Sequence, residues 1–330
     1  MRRGESSITM TNAATALGRV APVLDGAAWR SEARTALSPI PVRLIQLYAK
    51  TSAAHACSVT LALHGAAVAH NLECVLTTLD PEGPHQLRIA LRRTRVALKV
   101  FEPVMRAKAN ARLVESARSL GAIAGELRDA DVLIDEIIAP AARDETGLMV
   151  ALTAWRQEVR GRVRARLLAA DAPALAAHFA QAAGAPGWLK AEALREETTF
   201  ADLIAGAEAA FQDRAAPLAA RMADLTHLEL HQLRKAVKAM RYGAELAASA
   251  GLGGNAVPRL KRIQDALGLA NDTVALAQFN PPVFGEAAAL QRVRERLVAA
   301  RQGAVADAIT TAMREWRMLT QPIAARAATN

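Results

Sequence analysis

Apolar residues recur three and four positions apart along most of the chain, which is the spacing of one face of an α-helix. Short joints rich in Pro and Gly interrupt this pattern. The pattern predicts an all-α protein with eight helices in two groups of four, separated by an Ala-, Gly- and Pro-rich joint at residues 171–190. The second helix opens at Pro84 and the sixth at Thr226. The others are expected near residues 53–79, 109–139, 146–170, 200–223, 256–279 and 286–318.

The two groups of helices define the expected domain organisation. Residues 1–50 are weakly patterned and interrupted by proline, so they predict an arm that is loose or holds one short helix. Residues 51–190 and 191–330 are expected to form two pseudo-symmetric four-helix bundles that arose by internal duplication.

One motif occurs twice, because residues 231–244 repeat residues 85–98 at an offset of 231 − 85 = 146 positions. Each copy begins with a His that is followed by cations at i+3, i+7 and i+10. On a helix these positions fall within a sector of roughly 80°. Each helix therefore presents a one-sided row of positive charge, and the duplication indicates a long anion. The rows are His85, Arg88, Arg92 and Arg95, then His231, Arg234, Lys238 and Arg241.

An apolar stripe of helical period lies opposite each row and is expected to pack against partner helices. It consists of Leu87, Leu91, Thr94, Leu98 and Phe101 in the first copy, and of Leu233, Val237, Met240 and Ala244 in the second.

The repeat continues into the helix that follows each motif. Residues 125–129 and 268–272 align at an offset of 268 − 125 = 143 positions, which brings Asp129 and Asp272 into register. A carboxylate on the following helix is expected to hold an Arg or Lys side chain in place. Glu245 is expected to do the same for Lys238 or Arg241.

The net charge and its distribution along the chain indicate the class of partner. The chain has 41 Lys and Arg against 32 Asp and Glu, a net charge of +9. Residues 85–99 hold five cations and no carboxylate, a local field that attracts polyanions. Cys57 and Cys74 are expected to be reduced thiols. No apolar run appears long enough to span a bilayer, and no signal peptide is apparent, so we expect a cytoplasmic protein without membrane association.

The paired motifs resemble those of the CHAD domain family over roughly residues 50–320. The resemblance implies two four-helix bundles that bind inorganic polyphosphate without catalysis and associate with polyphosphate granules; sulfate or phosphate is the expected anion in crystals. No metal or cofactor is expected. The implied polyphosphate-binding residues are His85, Arg88, Arg92, Arg93, Arg95, Lys99, His231, Arg234, Lys235, Lys238 and Arg241, and the supporting residues are Arg128, Asp129, Asp272 and Glu245.

Several alternatives stay open from the residues alone. The cation rows also fit a solvated helix face, and the two motif histidines fit structural roles. His227 and His231 are four apart, a weak zinc-like spacing. The arginines of residues 156–166 are interpreted as solvated surface. A phosphohydrolase or other polyphosphate-processing enzyme is a second hypothesis, although no P-loop or clear carboxylate cluster is evident. A nucleic-acid-binding helical protein is a third, weakened because aromatic residues do not interleave with the basic rows.

Overall fold

The computed structural model describes residues 37–43, 46–184, 186–194 and 198–321, so most of the arm expected at residues 1–50 lies outside the described residues. The described chain is all-α, as the sequence predicts, and contains no β-strand. We number its helices α1 Ala53–Thr77, α2 Glu82–Val100, α3 Ala107–Asp131, α4 Thr146–Ala169, α5 Ala172–Gly184, α6 Phe200–Ala220, α7 His227–Ala248, α8 Val257–Gln278 and α9 Ala287–Thr320.

Helix α5 lies where the sequence predicted a joint, so the expectation of a loop at residues 171–190 was wrong. Seven of its 13 residues are Ala, the residue with the highest helix propensity. Its Pro173 stands in the first turn, where the missing N–H costs nothing, and Gly184 is its last residue. The punctuating residues therefore mark the ends of a short helix and not an open connection.

The chain also stays helical beyond α3. Residues Val132–Ile138 form a π-helix and Ala139–Ala141 a 3₁₀ turn, so the predicted end near Pro140 is correct although the geometry changes within the segment. A π-helix widens the turn by one residue and re-aims its side chains.

The first compact unit comprises Ser52–Ala124 and Arg166–Glu197 together with the N-terminal residues. Within it α1 packs against α2 and α5. Leu61, Leu87, Leu98, Phe101 and Phe179 are fully buried in its core. Gly65 permits the close approach of α1 to α5, because an added Cβ would lie 2.9 Å from Phe179 Cβ and 3.1 Å from the backbone N of Ala180.

An extended segment, residues 37–43, runs along this unit, and we call it the N-terminal strap. The buried Asn71 holds it on both sides: Asn71 Oδ1 accepts from Ile40 N at 3.0 Å, and Nδ2 donates to Ile40 O at 2.8 Å. His70 Nε2 donates to Ser38 O at 2.7 Å. This part of the predicted loose arm is thus fixed by side chains of α1.

The second unit comprises Gln46–Thr51, Gly125–Ala165 and the chain from Thr198 onward. One core packs the π-helix and α4 against the loop after α8 and the start of α9; another packs α6, α7, α8 and the end of α9. The predicted capping box at Thr226 is confirmed, with Glu229 Oε2 accepting from Thr226 N at 2.8 Å. Thr199 and Asp202 form a second capping box at the start of α6.

The two units do not follow the predicted boundary at residue 190, since residues 125–165 cluster with the second unit. Helices α3 and α4 each contribute residues to both units. The pseudo-symmetric relation of the halves stays a prediction.

Among the described helices α1 is long and apolar enough to cross a membrane by length and composition, and 56% of that window is buried. The expectation that no apolar run reaches this length was therefore wrong. The burial of α1 against α2 and α5 explains its composition, because a core helix passes the same test.

Candidate functional site

The first motif occupies α2 and divides it as the sequence predicts. Leu87, Leu91, Thr94 and Leu98 are buried at 0–1% exposure, while His85 and Arg88 are partly exposed and Arg95 and Lys99 are exposed. Burial of the apolar stripe fixes the rotation of the helix. The cation row is thereby held on the outward side of the first unit.

Arg92 and Arg95 are the cations of this row that are least compensated by negative charge. Within the described chain neither has a carboxylate within 4.0 Å. Partial burial, followed by the neighbouring Arg118 and Arg92, lowers the pKa of the Arg95 guanidinium. Arg118 lies on α3 and forms only an exposed 3.6 Å pair with Glu115. Arg92 and Arg118 both lie near enough to Arg95 to disfavour its charge, and we call Arg92, Arg95 and Arg118 the three-arginine cluster.

Two other predicted ligands of α2 have partners within the protein. Lys99 Nζ is bonded to Glu102, with both side chains about half exposed. Arg93 lies on a different side of the helix from the row, and its Nη1 donates to Val42 O of the N-terminal strap at 3.2 Å. Together with burial, Arg93 also lowers the pKa of the buried His64 to about 3. Arg93 thus fastens the strap instead of extending the row.

The second motif occupies α7, and its histidine has a defined partner. His231 Nδ1 lies 3.0 Å from Asn271 Oδ1 on α8. Burial lowers the pKa of His231, the Asn271 bond raises it, and the cations Lys235, Arg234 and Lys238 lower it further. The exposed Lys235 therefore lies near the imidazole, as its place one turn along α7 requires.

The side chain of Arg234 passes over α8 at Gly268. A Cβ added to Gly268 would lie 3.5 Å from an Arg234 terminal nitrogen, and Asp272 Oδ1 lies 4.0 Å from Arg234 Nη2. Burial raises the pKa of Asp272, while Arg234, Lys238 and Arg301 lower it. Asp272 is thus placed as the sequence predicted, beside cations of the row. Arg301 of α9 joins this group although no sequence motif marks it.

Arg241 lies on the predicted face, but its guanidinium is bonded to other residues of the protein. Its Nη1 donates to Glu245 Oε1 at 2.5 Å and its Nε to Gln264 Oε1 at 2.9 Å. The guanidinium also stacks 4.3 Å from the centre of the Tyr242 ring. Only 16% of the Arg241 side chain and 12% of the Glu245 side chain are exposed. Arg241, one of the two partners predicted for Glu245, is thus held by it.

The remaining supporting residues lie at the junction of α3 and the π-helix. Asp129 is exposed, and Arg128 donates to Glu136 Oε1 at 2.6 Å. The neighbouring Asp131 is buried, and burial raises its pKa to about 6 against the opposing effect of Arg160 and Arg156.

Arg156 and Arg160 were expected on a solvated surface, and this expectation was wrong. Arg160 is buried, and Arg156 donates to both oxygens of Asp135 at 2.8 and 2.6 Å. Their four-residue spacing puts both on the side of α4 that meets the carboxylates after α3. The distribution of arginines around α4 concealed this pair, of which Arg160 is buried and Arg156 partly buried.

The described residues contain no cluster of three or more His, Cys, Asp or Glu side chains able to hold a metal ion. Among these residues, His227 and His231 belong to no such group.

Comparison with known proteins supplies independent information about the chain. A family model described as the CHAD domain matches residues 60–281, two thirds of the sequence. The crystal structure of the CHAD domain from the plant Ricinus communis aligns at a TM-score of 0.65 and 24% identity, covering 84% of this chain and 96% of that one. PptA from Streptomyces chartreusis aligns at a TM-score of 0.58 and 16% identity, covering 81% and 99%. No curated protein matches the chain.

Proposed function

The chain belongs to the CHAD domain family, and from this premise we propose that it binds inorganic polyphosphate without catalysis, through the cation rows of α2 and α7. The observation that carries the proposal is the three-arginine cluster. A folded protein gains no stability by collecting Arg92, Arg95 and Arg118 together, because like charges repel. An anion from outside the chain offsets that repulsion.

The chemistry of the row suits a phosphate polymer. Residues 85 and 99 are 14 helical steps apart, or about 21 Å of helix, so several successive phosphates can lie along the row. Arginine supplies a planar fork that binds two phosphate oxygens at once. Polyphosphate has no base or sugar, so it requires repeated cations and no stacking surface. The row supplies cations alone, which favours polyphosphate over nucleic acid.

The contacts inside the protein rank the predicted ligands. Arg92 and Arg95 are the primary ligands in the first unit, with Arg118 added from α3. In the second unit Arg234, Lys235 and Lys238 are the ligands, with Arg301 added from α9. Arg93 and Arg241 act structurally, because each donates to a fixed partner within the protein.

The test compares two doubly substituted proteins that lose the same charge. Arg92→Gln/Arg95→Gln removes the core of the three-arginine cluster. Lys108→Gln/Arg112→Gln removes two exposed cations of α3 that lie roughly 100° around the helix from Arg118. Binding of long-chain polyphosphate is measured by titration calorimetry at several salt concentrations, and stability by thermal melting.

We expect the cluster variant to lose affinity and to reduce the slope of log K against log salt by about 1.4–1.8, the value for two lost phosphate contacts. Its melting temperature should stay the same or rise, because repulsion has been removed. The control should keep the wild-type slope. Equal losses in both variants would show that net charge, and not this cluster, governs binding.

The noncatalytic and ligand-class parts of the proposal have separate tests. Incubation with polyphosphate and Mg²⁺ or Mn²⁺ should release no orthophosphate beyond the rate without protein; sustained release would establish an enzyme. In competition at physiological salt, polyphosphate should displace labelled DNA and RNA. Preference for either nucleic acid would replace the proposal with the nucleic-acid hypothesis.

The proposal extends to polyphosphate granules, because a protein that binds the free polymer meets its highest local concentration there. A fluorescently tagged chain should coincide with granules, and the Arg92→Gln/Arg95→Gln variant should disperse. Granule association of that variant equal to wild type would contradict this extension.

A further inference from the structure

We propose that Asn271 is a positioning residue for His231, and that it makes the second unit take up a proton when polyphosphate binds. The inference rests on the proposed function. It adds to it a residue outside the repeated His and cation motif and a coupling between anion binding and protonation.

The hydrogen bond between the two side chains fixes the state of the imidazole. His231 Nδ1 lies 3.0 Å from Asn271 Oδ1, and a carboxamide oxygen only accepts. The proton of this bond therefore belongs to Nδ1. In the neutral ring the other nitrogen, Nε2, then carries a lone pair and no proton.

This tautomer decides how the ring meets a phosphate. A bare Nε2 lone pair repels a phosphate oxygen, whereas Nε2–H of the imidazolium donates a charge-assisted hydrogen bond to it. With Nδ1–H committed to Asn271, the ring cannot turn its existing proton toward the ligand. Direct contact with polyphosphate therefore requires a second proton, which solvent supplies to Nε2.

The charges around the ring disfavour protonation of His231 Nε2 until the polyanion binds. Burial lowers the pKa of His231, the hydrogen bond to Asn271 of α8 raises it, and Lys235, Arg234 and Lys238 of α7 lower it further. Asp272 of α8 lies beside Arg234 instead, at 4.0 Å. A bound polyanion neutralises the three cations and reverses the local field, so it raises the pKa of His231.

The first motif has a different residue at the place of Asn271. At the offset of 143 that aligns Asp272 with Asp129, the residue in register with Asn271 is Arg128. A guanidinium carries donors only, so it cannot accept a hydrogen bond from an imidazole, and Arg128 donates to Glu136. The proposed role of Asn271 therefore concerns His231.

The experiment measures proton uptake directly in the full chain. Long-chain polyphosphate is titrated at pH 7.5 in buffers of different ionisation enthalpy, so that the slope of observed heat against that enthalpy gives the protons taken up. Wild type should take up at most one proton, and its affinity should rise by up to about tenfold for each pH unit lowered through this range.

Two variants separate positioning from mere packing. Asn271→Asp offers a carboxylate to Nδ1–H, which favours the imidazolium before the ligand arrives; it should bind at least as tightly at pH 7.5 and take up little or no proton. His231→Gln should bind more weakly through the remaining cations and take up none. A purely structural role of Asn271 predicts the same uptake in wild type and Asn271→Asp.

Long-range ¹H–¹⁵N spectra of the histidines provide a readout that needs no ligand. The free wild type should show His231 with its proton on Nδ1; a proton on Nε2 would overturn the proposal. Binding without buffer-dependent heat would also overturn it and leave the proposed function intact. Absence of any polyphosphate binding at low salt would defeat the proposed function itself, a different result.

Discussion

Arg241 provides the sharpest test of the difference between the sequence motif and the folded site. Its position at i+10 from His231 makes it a ligand by pattern, but its guanidinium is bonded to Glu245 and Gln264 and stacked on Tyr242. Arg241→Gln removes the charge and both bonds while keeping most of the side-chain length. It leaves the Glu245 carboxyl without its Arg241 donor, with only 12% of the Glu245 side chain exposed.

The expected cost follows from these contacts. Removing one partner of a fully buried ion pair costs about 3–5 kcal/mol, and this pair keeps some solvent access, so we expect about 2–3 kcal/mol. Loss of the stacking contact with Tyr242, about 0.5–1 kcal/mol, lies within that range. For a domain of this size the melting temperature should fall by roughly 5–10 °C.

The assay combines thermal melting with polyphosphate titration. Lys235→Gln, an exposed cation of the same helix, serves as the stability control and should change stability by no more than about 0.5 kcal/mol. Arg241→Gln/Glu245→Gln should recover about 1–3 kcal/mol relative to the sum of the single changes. If Arg241→Gln melts like wild type but loses a phosphate contact from the salt slope, Arg241 is a ligand and the structural assignment is wrong.

Three further predictions concern glycine packing, the N-terminal strap and a buried histidine. Gly65→Ala should destabilise by about 1–3 kcal/mol in urea unfolding, because its Cβ would crowd Phe179 at 2.9 Å. Gly161→Ala, whose Cβ meets nothing within 4 Å, should stabilise by about 1 kcal/mol; the same sign for both would contradict the packing argument. Asn71→Leu should cost about 2–3 kcal/mol and make the N-terminal strap sensitive to protease, since three hydrogen bonds to backbone are lost; unchanged protection would show that other contacts hold the strap. His64 stays neutral in the fold because its pKa is lowered to about 3, whereas the unfolded chain binds the proton below pH 6.5. Through His64 alone, the free energy of unfolding should therefore fall by about 1.4 kcal/mol for each pH unit by which the pH is lowered from 6.5 to 3. His64→Gln should remove this part of the pH dependence.

The helical periodicity of the sequence was sufficient for the fold class and for the orientation of the motif helices. Leu87, Leu91 and Leu98 recur at the period of one helix face, and burial of that stripe leaves the cation row outward whatever the partner helices are. The capping box at Thr226 was equally local, because its bonds connect residues three positions apart. Helix α5 was missed because Pro and Gly near its ends were interpreted as signals of a joint, although Pro173 lies in its first turn and Gly184 is its last residue.

Whether each cation is paired within the protein depends on residues far away in the sequence. Arg92 and Arg93 are neighbours in the chain, but one belongs to the three-arginine cluster and the other fastens a strap 51 residues away. Arg301 lies in no repeated motif and Asn271 lies outside the cation rows; both come beside the second row through the packing of α8 against α7 and of α9 against α8. Local spacing determines which face of a helix a side chain occupies, since the helix repeats every 3.6 residues. Whether a charge there is paired or available depends on the neighbouring helices, and the tertiary structure alone decides that.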